Sequence, residues 1–228
     1  MQIKYKYITF NIQNMVIRCI LFDMDDTLLK LNVDWVKLTN DINWEFFEGK
    51  YSHLTPHKFF VAYFSRLLNK LTKKEQAQVR KRRLEAELQG IPTGKCFAYD
   101  YVLADMKKNY KLGVVSGNYK PTVKKALAVC GINRYIKMAV SIDDVPISKP
   151  SPEPLLFALK KLKCKPSQSV YVGDHPDDMR AGKAAGMFTV GVAANEFALK
   201  RLNAVKPNVI IKNIGELPNV LNKLNKFK

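Results

Sequence analysis

Three carboxylates lie within four positions of the chain, at Asp23, Asp25 and Asp26, directly after an apolar run at residues 16–22. Carboxylates crowded in this way repel one another unless a cation or a bound electrophile lies between them. The apolar run is typical of a buried parallel strand, and ligands of open α/β sheets bind at the carboxyl ends of such strands. The alternative is an acidic turn with helix-capping aspartates, and this motif alone leaves both interpretations open.

A second acidic cluster follows another apolar run, at residues 169–172. Asp174 and Asp178 lie four positions apart there. If the two runs are neighbouring parallel strands, Asp174 comes close to Asp23 and Asp25. Carboxylate oxygens without a cysteine or histidine cluster favour a hard cation, so the sequence predicts a Mg²⁺ site and not a zinc site.

A hydroxyl and a lysine occur at the same kind of position. Ser116, followed by Gly117 and Asn118, closes a third apolar run, and Lys149 stands in a loop after a fourth. A hydroxyl, exposed backbone amides and an ammonium group are what the oxygens of a phosphoryl group require. Each signal is weak alone, because serine is common in turns and the chain contains many lysines. Together with the two acidic clusters, in this order, they indicate phosphoryl chemistry.

The elements that must position these residues are short β-branched runs alternating with helical stretches, a pattern typical of a parallel α/β sheet. The runs cover residues 16–22, 112–115, 138–142, 169–172, 189–192 and 209–211. The helical stretches between them cover residues 121–130, 151–162 and 177–185. The sequence therefore predicts a Rossmann-like parallel sheet core.

The segment from residue 30 to residue 91 interrupts this rhythm. Apolar residues recur there at helical spacing, Thr72 and Glu75 match a capping box, and no strand pattern intervenes. We therefore predict an α/β protein with a small α-helical cap domain inserted after the first strand. The predicted domains are an N-terminal extension at 1–14, a catalytic core at 15–29 and 92–228, and the cap at 30–91.

These motifs resemble those of the haloacid dehalogenase superfamily, in particular its helical-cap phosphatases, such as the phosphoglycolate phosphatases. Asp23-x-Asp25-x-Thr27 matches the first motif, Ser116 the second, Lys149 the third, and Gly173-Asp174-x-x-x-Asp178 the fourth. The resemblance covers roughly residues 16–192. Asp26 departs from it, because relatives usually have glycine there. Aspartate is among the better-tolerated residues where the backbone requires a positive φ.

The resemblance implies a mechanism through an aspartyl-phosphate. Asp23 would be the nucleophile, and Asp25 would act as general acid and then as general base. Ser116 and Lys149 would complete the catalytic set. The substrate-binding residues would be Thr27, Ser116, Gly117, Asn118 and Lys149. The Mg²⁺ residues would be Asp23, Asp25 through its backbone carbonyl, Asp174, and Asp178 from outside the ligand shell.

The favoured function is that of a phosphoric monoester hydrolase acting on a small phosphorylated metabolite of the phosphoglycolate type. The acidic Asp25 favours phosphoester chemistry over dehalogenation within this resemblance. Pyrophosphate is a further candidate substrate, and a phosphosugar mutase of the β-phosphoglucomutase type shares all four motifs. These alternatives stay open, because the cap sets specificity in the family and its sequence does not identify the leaving group.

The 228-residue chain has a formal net charge of +18. A nucleic-acid-binding surface, attraction of an anionic substrate and a lysine-rich proteome are the three interpretations. No RNA-binding motif, zinc finger or repeat accompanies the basic residues between Arg66 and Arg83, so nucleic acid is not the expected partner.

No apolar run is long enough for a membrane span and no secretory signal is evident, so a cytoplasmic protein without a membrane partner is expected. The sequence does not indicate an oligomeric state.

The four cysteines are widely separated and form no C-x-x-C pair. Most lie in apolar stretches, where a free cysteine behaves as a small apolar residue. We therefore expect reduced thiols. The four are Cys19, Cys96, Cys130 and Cys164.

Overall fold

The computed structural model describes residues 16–97 and 100–225. The predicted N-terminal extension, residues 1–14, lies outside the described residues. Within the described part of the chain, every helix is too short or too polar to cross a bilayer.

Eight strands occur in the described residues, and six of them form one parallel sheet. The strands are β1 (Cys19–Phe22), β2 (Leu29–Lys30), β3 (Lys95–Cys96), β4 (Lys111–Val115), β5 (Ile136–Val140), β6 (Ser169–Gly173), β7 (Phe188–Val192) and β8 (Val209–Ile211). The order across the sheet is β5-β4-β1-β6-β7-β8, so β1 lies between β4 and β6. This arrangement confirms the predicted α/β, Rossmann-like class.

Nine α-helices accompany the strands in the described residues. They are α1 (Trp35–Phe47), α2 (Phe64–Leu68), α3 (Lys73–Gly90), α4 (Asp100–Asn109), α5 (Lys120–Val129), α6 (Glu153–Leu162), α7 (Pro176–Ala184), α8 (Glu196–Val205) and α9 (Leu217–Asn225). The chain forms two compact units. One comprises the chain up to Lys30 and from Lys95 onward, and the other is Leu31–Gly94, which contains α1 to α3. The strands β2 and β3 pair antiparallel where the chain leaves and re-enters the first unit.

The parallel register brings the ends of three strands to one edge of the sheet. Phe22, the last residue of β1, lies opposite Val114 of β4 and Val172 of β6. All four residues of β1 are fully buried, which explains the continuous apolar run before the first acidic motif. The residues that follow these strand ends are Asp23, Ser116 and Asp174.

The second unit has an aromatic core of its own. Phe59, Phe60 and Phe64 pack together at ring-centroid separations of 5.2 to 6.5 Å. The capping box at the start of α3 is confirmed, because Thr72 Oγ1 accepts from the amide of Glu75 at 3.3 Å and Glu75 Oε2 accepts from the amide of Thr72 at 2.8 Å. This cap satisfies amides that the first turn of a helix otherwise leaves unpaired.

All four cysteines are paired, Cys19 with Cys164 and Cys96 with Cys130. The expectation of reduced thiols is therefore wrong for this structure. The Cα separations of 6.4 and 5.7 Å lie in the range that a disulfide spans. Spacing along the chain could not reveal the pairs, because parallel strands and their connecting helices bring together residues that are far apart in sequence.

Candidate active site

Asp23 lies at the centre of the carboxyl edge of the sheet. Its amide donates to the carbonyl of Val172 at 2.8 Å, which extends the pairing of β1 with β6 by one residue. The residue is 8% exposed, so its carboxylate has lost most of its contact with water. The strand therefore fixes the position of the predicted nucleophile.

A tight turn follows Asp23. The carbonyl of Met24 accepts from the amides of Leu28 and Leu29 at 2.9 and 3.1 Å. Asp26 has φ of 58° in this turn, the left-handed conformation in which glycine is usual and aspartate is tolerated. Asp25 lies half-buried in the same turn.

Asp174 approaches Asp23 from the end of β6. Oxygen atoms of Asp23, Asp174 and Asp178 lie within 4.8 Å of one another. Thr27 is 1% exposed, and its hydroxyl donates to Asp174 Oδ1 at 3.1 Å. Thr27 thus orients Asp174 in this structure. The group of three carboxylates does not include Asp25.

Asp178 is held by the first turn of α7 and by close packing on Gly173. A Cβ atom on Gly173 would lie 2.5 Å from the carboxyl carbon of Asp178, so only glycine permits this approach. Asp178 Oδ2 accepts from the amide of His175 at 2.9 Å. His175 Nδ1 accepts from the amide of Asp177 at 3.2 Å, which caps the helix. Gly173 and the cap together fix the Asp178 carboxylate.

Lys149 connects two of the three carboxylates. Its Nζ atom donates to Asp23 Oδ1 at 2.5 Å, to Asp178 Oδ1 at 2.6 Å and to the hydroxyl oxygen of Tyr171 at 3.1 Å. The Tyr171 hydroxyl donates in turn to Asp178 Oδ1 at 3.1 Å. An ammonium group has three N–H donors, and each has a partner here. The position of the lysine is therefore defined from three directions.

Ser116, Gly117 and Asn118 form the turn between β4 and α5. Ser116 Oγ accepts from the amide of Asn118 at 3.1 Å. A Cβ atom added to Gly117 would meet no atom within 4 Å, so open space lies beside this turn. Asn118 is 6% exposed, and its Nδ2 atom is buried without a hydrogen-bond partner among the described residues. A buried unsatisfied donor costs about 1–3 kcal/mol, which an oxygen atom of a bound group would offset.

Electrostatics set the ionisation of the site. Burial raises the pKa of Asp23 to about 7; the Asp178 charge adds to the shift and Lys149 opposes it. Burial raises the pKa of Asp174 to about 8, and the charges of Asp178 and Asp23 contribute. For Lys149, burial acts to lower the pKa, but the carboxylates of Asp178 and Asp23 outweigh it and hold the pKa well above its usual value. The carboxylates of the site carry more negative charge than the single positive charge of Lys149 neutralises.

The donor set fits a hard divalent cation. Asp23 and Asp174 can each offer a carboxylate oxygen, and oxygen ligands suit Mg²⁺. Both oxygens of Asp178 already accept hydrogen bonds from Lys149, Tyr171 and His175. Its geometry is therefore that of a residue that positions others from outside the ligand shell.

The structure brings four predicted residues into direct contact or close proximity, namely Asp23, Lys149, Asp174 and Asp178. Ser116, Gly117 and Asn118 follow the neighbouring strand.

Tyr171 was not predicted, because in sequence it belongs to an apolar strand and indicates core. A signal was nevertheless present. A tyrosine in a strand buried on both faces needs a partner for its hydroxyl, and Tyr171 lies three residues before Asp174.

A family model described as haloacid dehalogenase-like hydrolase matches residues 20–192, which include all of the predicted site residues. The chain belongs to this family. Its membership confirms the predicted superfamily and the predicted hydrolase class.

Individual relatives agree with this assignment. The pyrophosphatase PpaX of Anoxybacillus flavithermus is 28% identical over 221 residues, which cover 91% of this chain and 98% of that protein. PpaX of Bacillus velezensis is 38% identical over 116 residues, so the matched part spans only about half of either protein, 50% of this chain and 54% of PpaX. A haloacid dehalogenase-like hydrolase from Bacteroides fragilis has the same fold, with a TM-score of 0.70 and 23% identity over 88% of this chain and 99% of that chain.

Proposed function

We propose that this protein is a Mg²⁺-dependent phosphatase that hydrolyses a small phosphorylated metabolite through an aspartyl-phosphate on Asp23. The observation that carries this proposal is the meeting of Asp23, Asp174 and Asp178 oxygens within 4.8 Å at the end of the sheet. Lys149 contacts the nucleophilic carboxylate directly, at 2.5 Å. Family membership supports hydrolytic chemistry at this site.

In the first step, an oxygen of Asp23 attacks phosphorus and the bond from phosphorus to the leaving oxygen breaks. The leaving oxygen keeps the bonding electron pair and takes a proton from Asp25. In the second step, Asp25 accepts a proton from water as the water oxygen attacks phosphorus. The bond between phosphorus and Asp23 then breaks, which restores both carboxyl groups and releases phosphate. General acid–base help of this kind contributes about 10² to 10⁴ in rate.

The phosphoryl oxygens are bound by the Lys149 ammonium, the Ser116 hydroxyl and the turn at Gly117 and Asn118. The open space beside Gly117 and the unpaired Nδ2 donor of Asn118 support this assignment. Lys149, whose three donors are paired in this structure, exchanges one of these bonds for a bond to a phosphoryl oxygen. Thr27 contributes indirectly, through its hydrogen bond to Asp174.

The Mg²⁺ ligands we propose are the carboxylates of Asp23 and Asp174 and the backbone carbonyl of Asp25, with Asp178 orienting the site. When bound, the ion neutralises negative charge on the carboxylates and on the phosphoryl group. The raised pKa values of Asp23 and Asp174 support this requirement, because burial and the charges of neighbouring carboxylates both destabilise the ionised forms of these two groups.

Two substrate classes are candidates. A phosphoglycolate-like monoester agrees with the motif pattern. Pyrophosphate is supported by the PpaX relatives, one of which matches over 98% of its length. Each substrate transfers a phosphoryl group to Asp23, so the two share the mechanism and differ in the leaving group.

The test is phosphate release from p-nitrophenyl phosphate, phosphoglycolate and pyrophosphate, with Mg²⁺ and with a chelator. We expect Asp23→Asn to abolish release from every substrate, because the amide is not a nucleophile. The matched control is Asp105→Asn on the exposed surface of α4, which should retain activity. Hydrolysis that survives Asp23→Asn would refute the mechanism. A coupled assay for glucose 6-phosphate from β-glucose 1-phosphate tests the mutase alternative.

A cytoplasmic location stays a proposal, and the paired cysteines bear on it. Disulfides persist mainly in oxidising compartments, although intracellular proteins of hyperthermophiles are an exception. Counting free thiols in protein denatured directly from cells, without reductant, measures whether the pairs exist at the site of synthesis. Two intact pairs would contradict a location in a reducing cytoplasm.

A further inference from the structure

The basic residues of the first unit concentrate at the end of the sheet opposite the catalytic carboxylates. Because the six strands are parallel, their first residues and the ends of the preceding helices share one edge, the amino edge. Ten basic residues lie at strand starts, at helix ends or in the loops between them on the side of β5, β4, β1 and β6. They are Arg18, Lys107, Lys108, Lys111, Arg134, Lys137, Lys160, Lys161, Lys163 and Lys165, and we call this set the basic amino edge.

Hydrogen bonds join these segments into one surface. The amide of Lys111 donates to the carbonyl of Arg18 at 2.9 Å, and Lys111 Nζ donates to the carbonyl of Leu162 at 2.9 Å. Lys107 Nζ donates to the carbonyl of Arg134 at 2.7 Å. The segments before β1, β4, β5 and β6 therefore meet, and their cations form a continuous patch.

Part of this charge has a structural role, because cations near helix C-termini interact favourably with the helix dipole. That role does not neutralise the patch. Among the described residues of this region, the carboxylates that pair with the basic amino edge are Asp100, with Arg134 at 2.5 Å, and Asp105, with Lys108 at 3.2 Å. Ten cations against two carboxylates leave a strong excess of positive charge.

The second unit has its own basic cluster, between Arg66 and Arg83, and it differs from the basic amino edge in its pairing with carboxylates. Lys81 pairs with Glu85 at 3.9 Å, Arg82 pairs with Glu45, and Arg83 forms a buried pair with Glu87 at 2.9 Å. Three of the eight basic residues between Arg66 and Arg83, the cluster that stands out in sequence, therefore pair with carboxylates. The patch that is poor in carboxylates becomes visible only when the sheet brings dispersed residues together.

We propose that the basic amino edge binds the phosphate backbone of a nucleic acid without reading its sequence. Eight of the ten cations are lysines, which contact phosphates as point charges, whereas arginine is the usual reader of guanine edges. A patch of one sign fits a partner with continuous negative charge better than it fits a protein surface, which mixes both signs. A nucleic acid has such a charge at every phosphate.

The helix geometry argues against a membrane as the partner. Helices that bind membranes lie flat on the surface, with a basic face beside large apolar side chains. Here α4 and α6 meet the amino edge with their ends, so neither presents its length to a flat surface. The exposed apolar residues near this edge include Val16, three residues before β1, and Val129, at the end of α5, and valine side chains are too small to anchor the protein in lipid.

A nucleic acid at the amino edge leaves the proposed active site accessible. The five residues of β4 separate the two edges by about 17 Å. This separation keeps a nucleic acid at the amino edge clear of the carboxylates, so a small substrate can enter the proposed active site while the nucleic acid is bound.

The test is fluorescence anisotropy of a labelled random-sequence DNA duplex, measured with the full chain over a salt series. The first variant is Lys137→Gln/Lys160→Gln/Lys165→Gln, in the basic amino edge. The matched control is Lys58→Gln/Lys73→Gln/Lys74→Gln in the second unit, which removes the same charge from equally exposed lysines. Each lost phosphate contact should reduce the slope of log affinity against log salt by about 0.9.

We expect the amino-edge variant to bind at least about tenfold more weakly near 0.1 M salt, with a slope smaller by about two to three. The control should lose less than about threefold, and both variants should fold and hydrolyse a small substrate like the parent. Equal losses in the two variants would attribute binding to total charge and overturn the proposal. No binding of the duplex by the parent at physiological salt, or binding of phosphatidylserine vesicles in its place, would also overturn it.

Discussion

Lys149 Nζ lies 2.5 Å from Asp23 Oδ1, although the entire second unit and four strands, β2 to β5, separate the two residues in the chain. This pairing explains how a carboxylate that is 8% exposed can remain available for attack. Burial raises the pKa of Asp23 to about 7, and the lysine counteracts that shift. The same ammonium group is adjacent to any phosphoryl group that Asp23 attacks.

Replacing Lys149 tests this double role. Lys149→Met keeps much of the length of the side chain and removes its charge. We expect kcat to fall by about 10² to 10³, the typical loss when one preorganised donor to a developing charge is removed. Steady-state phosphate release measures the effect, and Lys124→Met on the exposed side of α5 is the control. A kcat within threefold of the parent would contradict the role.

Tyr171 positions the lysine, and its hydroxyl can be removed without changing the packing. Tyr171→Phe deprives Lys149 and Asp178 of one hydrogen bond each. Hydrogen bonds to charged groups contribute about 1.5–3 kcal/mol, so we expect kcat to fall by about ten- to a hundredfold. KM should change little. Tyr135→Phe removes a hydroxyl that bonds to exposed Asp100 and should leave kcat unchanged. A fall in melting temperature with no change in kcat would show that Tyr171 contributes to core packing and does not position Lys149 for catalysis.

Gly173→Ala should displace Asp178. The added methyl group would lie 2.5 Å from the carboxyl carbon, and both the strand and the helix cap resist movement. We expect a loss of about 1–3 kcal/mol in the free energy of unfolding, as for other overpacked sites, together with loss of activity. Chemical denaturation measures the first effect. Gly117→Ala, where the added group meets no atom within 4 Å, is the control for stability only.

The two raised carboxyl pKa values predict a pH-dependent stability of the metal-free protein. Asp23 and Asp174 titrate near 7 and 8 in the folded state, against an ordinary value of 3.8. Between about pH 4 and pH 8 the folded state therefore binds more protons than the unfolded chain, and stability falls as pH rises. With chelator present, Tm should be higher near pH 5.5 than near pH 8.

Mg²⁺ should reverse this trend, because the cation and protons compete for the same oxygens. We expect added Mg²⁺ to raise Tm more near pH 8 than near pH 5.5, and Asp174→Asn to weaken both effects. A Tm of the metal-free protein that rises from pH 5.5 to pH 8 would show that these carboxylates are not buried as described.

The Cys96–Cys130 pair can be tested separately from the active site. It closes a loop of 34 residues, for which the chain-entropy estimate is about 3–4 kcal/mol of stabilisation. Cys96→Ser/Cys130→Ser should lower the free energy of unfolding by up to this amount in the absence of reductant. In the presence of reductant, the parent and the variant should unfold alike. Equal stability without reductant would indicate that the two thiols are not joined.

The sequence was sufficient for the sheet and for the convergence of Asp23, Asp174 and Asp178 at its carboxyl edge. Continuous apolar runs that end in aspartate indicate buried parallel strands whose carboxyl ends share one edge of the sheet. The four superfamily motifs then assigned Asp23, Lys149 and Asp174 to that edge. Their mutual contacts depend on the register of β1 with β6, which no single run reveals.

Other features escaped prediction because they arise from tertiary proximity. The disulfides join residues whose spacing has no local meaning. Tyr171 belongs to a core strand by sequence, and only its neighbours make its hydroxyl relevant. Likewise, the lysines of the amino edge come from separate segments that each resemble a solvated helix end.

The Cys19–Cys164 link closes a covalent ring that contains Asp23, Lys149 and the whole of the second unit. A protease that nicks the chain anywhere in that unit would produce two polypeptides that remain tethered. A singly cut molecule would migrate as one species on a gel until a reducing agent is added. The fragment that carries Asp23 and the fragment that carries Lys149 therefore cannot diffuse apart after cleavage in the second unit.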